Sequence, residues 1–178
     1  ASTGMMTLSG HTGSVQRWER KLGSGVWEEI VHTGTTYEET PDSAGTWYYR
    51  AYVKNSTCAA AYSSEFELVV NKATPTATLH ITNSPVTYSG SAQSATVEVN
   101  TSSVAGAVAN VTNGTHTNTG TYAVTADFVP TDTTNYNTLT GLSAGNFVIN
   151  KATPTVNAWP TASDITYGQT IGDATLSG

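Results

Sequence analysis

Apolar and polar residues alternate in short runs along most of the chain, and nowhere do apolar residues recur at the spacing of a helix. Between residues 77 and 149 this alternation predicts strands over 77–81, 95–100, 107–111, 121–128 and 146–149. The gaps hold Asn83-Ser84-Pro85, Ser89-Gly90, Asn113-Gly114 and Pro130-Thr131-Asp132. These residues turn a chain because Gly and Asn accept positive φ and Pro fixes φ. Earlier, the run from Gly45 to Val53 places Trp47, Tyr49, Ala51 and Val53 on one face, with Arg50 and then Lys54 on the other. A shorter aromatic strand is expected over 15–19 around Trp18, which should join Trp47 and Tyr49 in a core. Short strands punctuated in this way predict an all-β protein built as sandwiches.

The pattern also repeats. Asn-Lys-Ala-Thr-Pro-Thr occurs at 71–76 and again at 150–155, an offset of 79 residues. The same offset links Thr87-Tyr88 with Thr166-Tyr167, and Ala95-Thr96-Val97 with Ala174-Thr175-Leu176. Matches in constant phase mean a tandem array of modules. We therefore expect three segments: a module over 1–70, a repeat over 71–149, and the truncated start of a further repeat over 150–178. The first lacks the offset but ends alike, since Gly45-Thr46-Trp47 and Gly120-Thr121-Tyr122 both open a long strand leading to a final strand. Pro75 and Pro154 make each joint stiff and stop the last ladder from simply continuing. Modules joined by such short Pro-containing linkers should lie end to end, each adding roughly 35 to 40 Å.

Composition narrows the function. The chain has 178 residues, few charges and a net charge of −6, so no basic stripe is available for nucleic acid. No apolar run is long enough to span a membrane as a helix, and no amphipathic helix or lipidation signal argues for membrane insertion. Ala1-Ser2-Thr3-Gly4 contains neither an initiator Met nor a signal peptide, which we read as a section of something longer.

Candidate chemistry is sparse. Gly141-Leu142-Ser143-Ala144-Gly145 matches the spacing of a nucleophile elbow, but an elbow needs a helix after the serine. The next residues, Asn146-Phe147-Val148-Ile149, are strand-like, so we expect a Gly/Ser turn before the final strand, and no residue is assigned as catalytic. His11, His32, His80 and His116 are scattered without zinc-ligand spacing. Asp127, Asp132, Asn135 and Asn137 carry oxygens suited to calcium but lack a dedicated loop pattern, which favours Asx-turn capping. No metal or cofactor is expected. Trp27, Tyr37, Tyr48 and Tyr52 are candidates for an exposed ligand-facing surface, set against packing over the sheet.

The stretch from Leu8 through Trp18 to Glu19, with Val26-Trp27-Glu28-Glu29-Ile30 and Trp47-Tyr48-Tyr49-Arg50-Ala51-Tyr52-Val53, resembles immunoglobulin-like modules of very long Bacteroidota surface adhesins. The later segments resemble the "mostly bacterial Ig" repeats of the same proteins. The residues that carry this are Val86-Thr87-Tyr88-Ser89-Gly90, Gly120-Thr121-Tyr122-Ala123-Val124-Thr125-Ala126, Asp132-Thr133-Thr134-Asn135-Tyr136-Asn137 and Ile165-Thr166-Tyr167-Gly168-Gln169-Thr170. The resemblance implies tandem immunoglobulin-like β-sandwiches, export by a type IX route, and a place on an extracellular filament serving adhesion or gliding. Partners would be neighbouring modules of the same chain, surface polysaccharide or other cell-surface proteins.

It also implies O-glycosylation at Ser43 and Thr133, through Asp42-Ser43-Ala44 and Asp132-Thr133-Thr134. Cys58, the single cysteine, would be a half-cystine whose partner lies upstream, a free thiol being the alternative. The expected function is a structural stalk section of an adhesin. The other reading is a carbohydrate- or protein-binding module over 1–70 with the repeats as spacer.

Overall fold

The computed structural model describes residues 4–56 and 58–177, and these are all-β, with one short 3-10 turn at Ile171–Asp173 and no α-helix. In the first seventy residues the strands are β1 (Met6–Thr7), β2 (Ser14–Leu22), β3 (Glu28–Ile30), β4 (Thr36–Tyr37), β5 (Gly45–Lys54), β6 (Ala61–Tyr62) and β7 (Phe66–Val70). The main sheet runs β3-β2-β5, with β6 and β7 sharing the far edge of β5. A second layer, β1 with β4, covers it. Between them Met6, Val15, Trp18, Trp47, Tyr49, Ala51 and Val53 are buried, with Leu8, Ile30, Tyr37 and Leu68 packed against them. The alternation expected for Gly45 to Val53 is the one observed. The strand around Trp18 is longer than expected, because a bulge between Val15 and Arg17 restores the inward phase of the next residues.

The second segment contains β8 (Ala77–Ile81), β9 (Val86–Thr87), β10 (Gln93–Ser94), β11 (Val97–Ser102), β12 (Gly106–Thr112), β13 (Thr115–His116), β14 (Gly120–Pro130) and β15 (Leu139–Asn150). A four-stranded sheet, β12-β14-β15-β9, faces the β8-β11 pair. Leu79, Val124, Ala126, Ala144, Phe147 and Ile149 form a core separate from the first. Ser84 bridges the layers, its hydroxyl donating to the Asn146 carbonyl at 3.1 Å and accepting from the Val148 amide at 3.0 Å.

One expectation needs correction. The final strand does not begin at Asn146 after a Gly/Ser turn, because residues 141–145 lie inside β15. The register against β14 slips twice, once across Ala144 and once near Gly141, and Gly141 and Gly145 have φ of +67° and +99°. The two glycines thus accommodate bulges in one long strand. Ser143 sits between them, exposed and with no helix behind it.

The remaining residues carry only β16 (Thr161–Ala162) and β17 (Leu176–Ser177), paired with each other. Nearly all of this segment is exposed, including Trp159, Ile165, Tyr167 and Leu176.

Candidate binding face and the joint between the cores

Alternation places Arg17, Glu19 and Lys21 of β2 on the outer face of the first sheet, beside Tyr48, Arg50 and Tyr52 of β5. Tyr62 of β6 lies across from Tyr52. The candidates Trp27, Tyr48 and Tyr52 are thereby brought to one surface, whereas Tyr37 turns inward and stacks against Trp18 with centroids 5.8 Å apart. Each ring on this surface has a cation against it. The Arg50 guanidinium lies 4.0 Å from the Trp27 ring centre and 3.7 Å from that of Tyr62. Lys21 Nζ sits 4.4 Å from Trp27 and 5.0 Å from Tyr48, and Arg17 lies 4.1 Å over Tyr52. Cations and rings interleave into a ladder of favourable cation–π contacts.

Glu19 ties the ladder down. It is 5% exposed, and its two oxygens accept from Arg17 at 2.7 Å and Arg50 at 2.7 Å. Burial alone would push its carboxyl up, but the hydrogen bonds from Arg50 and Arg17 outweigh burial and hold it below the ordinary carboxylate range. Sequence reasoning missed Glu19, since nothing local distinguishes it from the exposed Glu28 and Glu29. Below the sheet a second carboxylate gathers donors: Glu39 accepts from Tyr37 at 2.6 Å, Tyr49 at 2.7 Å and Arg20 at 3.1 Å. Burial and the hydrogen bond to Glu39 push the Tyr37 hydroxyl up to about 12.

A groove borders the first core. Its two contiguous hollows, about 540 and 390 Å³, run between residues 5–12 and 53–66. Cys58 opens onto it from a turn closed by its amide donating to the Asn55 carbonyl at 2.7 Å. Cys58 is exposed and free. His11 also lines the groove, with Nδ1 buried and unpartnered.

The joint at residues 71–76 is held by the loop 132–137 of the second segment. Asp132 Oδ1 accepts from the Thr134 and Asn135 amides, both at 3.1 Å, so it caps an Asx-turn and its oxygens are engaged within the loop. Its Oδ2 accepts from Asn135 Nδ2 at 2.8 Å, which aims the Asn135 Oδ1 at the Ala44 amide, 2.7 Å away. The Ala73 amide donates to the Asn135 carbonyl at 2.8 Å, and the Ala73 carbonyl accepts from the Asn137 amide at 2.9 Å. Lys72 Nζ donates to the Thr133 carbonyl at 2.7 Å, and Asn137 Nδ2 to Thr74 Oγ1 at 3.2 Å. Pro75 is buried beyond the clasp, and Thr76 exchanges two hydrogen bonds with Ser103, each 2.9 Å. Ser43 and Thr133, the candidate glycosylation residues, flank this joint from its two sides, Thr133 exposed and Ser43 half-buried.

Among the described residues no cluster of three or more His, Cys, Asp or Glu is placed to hold a metal, and no helix is long and apolar enough to cross a membrane. No curated protein and no solved structure matches the chain. Residues 1–72 match the profile of a domain of unknown function, DUF8696, so the match ends inside the joint.

Proposed function

We propose that the chain is a structural stalk section of a long, surface-exposed bacterial adhesin or filament, giving reach and stiffness for adhesion or gliding. In this reading residues 1–70 and 71–149 are successive immunoglobulin-like sandwiches, and residues 150–178 begin a further one. The observation that carries it is the clasp. A connector that only tethered two domains would need no partner, whereas residues 72–74 are bonded through backbone and side chains to the loop 132–137. The Ala44–Asn135 hydrogen bond reaches from the first core directly to that loop. Fixing a joint at both ends restricts bending, which a series of modules under tension requires and a flexible spacer does not.

The groove supports the view that the first sandwich lacks its opening strand. In the second segment β8 pairs with β11, and β9 runs parallel to β15 through Val86 and Ile149. In the first, the outer edge of β7 has no such neighbour among the described residues. A strand entering there would pass Cys58, which suits a half-cystine at that position. Export by a type IX route and a cell-surface location belong to this proposal through the sequence resemblance.

The other reading makes the aromatic face of the first module a carbohydrate or protein binder. Gathering Trp27, Tyr48 and Tyr52 on one surface favours it, but a sugar stacks on ring faces, and cations occupy faces of all three. A glycan array probed with the whole chain separates the readings: the stalk proposal expects no signal, and binding that Trp27→Ala abolishes would overturn it.

A further inference from the structure

The hexapeptide at 71–76 is hydrogen-bonded to loop 132–137 and buries only Pro75, and the same hexapeptide recurs at 150–155 without that burial. All side chains that make the clasp in the first copy are present in the second: Lys151 for Lys72, Ala152 for Ala73, Thr153 for Thr74 and Pro154 for Pro75. Pro75 is buried, whereas Pro154 is exposed. Asn150 is anchored, closing β15 and accepting from the Tyr88 amide at 2.8 Å, so Lys151 leaves the second core from a fixed point.

We infer that residues 150–155 are a docking segment, and that their ligand is a loop of the Asp-Thr-Thr-Asn-Tyr-Asn type carried by the repeat they introduce. The inference rests on the tandem reading above and names the partner of its second joint. Recognition is stereochemically specific. The ligand loop needs an Asp to form the Asx-turn and an Asn carbonyl and an Asn amide two residues apart, to receive the Ala152 amide and supply its carbonyl. It also needs a backbone carbonyl for Lys151 and an Asn side chain for Thr153. The hexapeptide supplies the Lys, the small Ala that allows close approach of backbones, and the Thr. Hexapeptide and loop together form a portable pair, so each joint in such an array has the same geometry.

The pair can be tested within this chain. Lys72→Glu with Ala73→Pro removes the Thr133 contact and the Ala73 amide, so that loop 132–137 is held only through the residue-73 carbonyl, Thr74 and Ala44 and a second copy of the hexapeptide can displace the first. An unlabelled peptide of residues 148–157 is then titrated into the 15N-labelled variant. The expected result is saturable shifts of the Asn135 and Asn137 amides at a roughly millimolar midpoint, the range an intramolecular clasp on a short linker needs to stay closed. The unsubstituted chain, whose loop already holds Ala73, should show no shift. The peptide with Lys151→Glu and Ala152→Pro should show none with either protein.

Loop amides that keep their Asx-turn shifts but ignore the peptide would overturn the inference, as would equal response to both peptides or shifts confined to other surfaces. A double variant whose loop amides do not change would also overturn it, since residues 72 and 73 would then not be what the loop grips. Scattering from the intact chain judges the stalk reading separately, so a rod whose loop ignores the peptide would refute the docking pair alone.

Discussion

Replacing Glu19 by Gln tests whether one buried carboxylate holds the outer ladder of the first module together. The amide keeps the size and one acceptor but removes the charge that faces Arg17 and Arg50 at 2.7 Å each. Breaking a buried ion pair by removing one partner costs about 3–5 kcal/mol. Here the guanidiniums keep 27% and 19% of their side-chain surface, and Arg17 retains Glu29 at 3.7 Å, so water and a second carboxylate recover part of that. The expected loss is about 2 kcal/mol. With a urea slope of about 1 kcal/mol/M for a module of this size, the midpoint should fall by roughly 2 M.

Tryptophan fluorescence reads this unfolding directly, because Trp18, Trp27 and Trp47 all lie in the first module. The effect should depend on pH. The folded Glu19 carboxyl lies below its ordinary value, so its contribution is fully present above the unfolded value and fades as pH falls through the folded one. The gap between the two proteins should therefore narrow in acid. Glu29→Gln, at an exposed carboxylate, should cost under about 0.5 kcal/mol. Equal, small effects of both substitutions would refute the reasoning.

Glu39→Ala should destabilise the first module by about 2–4 kcal/mol, because the fully buried Tyr49 hydroxyl loses its acceptor, while Tyr37 and Arg20 lie partly in water; a urea midpoint unchanged from the parent would contradict this. Asp132→Ala should speed hydrogen exchange at the Ala73 and Asn137 amides and leave Leu79 in the core unaffected, since only the Asx-turn that presents the loop is lost; unaltered exchange at both would show that Asp132 does not organise the clasp. Cys58 in this chain should react with a thiol reagent at the rate of an exposed thiol, and protection without denaturant would contradict its placement on the open side of the groove.

The features legible in the sequence are those set by local physics. Alternation is local, so the inward set Trp47, Tyr49, Ala51 and Val53 could be read directly, and β8 matches its expected bounds of 77–81. The recurrence of Asn-Lys-Ala-Thr-Pro-Thr at an offset of 79 residues is visible in the sequence itself and needs no structure. Bulges are set jointly by two strands, which is why Gly141 and Gly145 looked like a turn and are instead the points where β15 slips against β14. The clasp was hidden for a similar reason: its main bonds join backbone atoms of Ala73 to a loop some sixty residues away. Asx-turn capping was predictable for Asp132, being local, but not what the turn would hold, whereas Asp127 forms no such turn and accepts from the Asn110 side chain and the Gly141 amide on the neighbouring strands. On the outer face, alternation put Tyr48, Arg50 and Tyr52 on one side. It could not say that guanidiniums lie against the rings, which is the feature that bears on sugar binding.

Small-angle scattering from the whole chain in dilute solution tests the central claim most directly. Two modules of roughly 35 to 40 Å held end to end by the clasp form a rod of about 75 Å, with a radius of gyration near or above about 22 Å. The account predicts that value, unchanged by salt. A radius near about 16 Å, the size of one compact globule of this length, would place the modules side by side and contradict it.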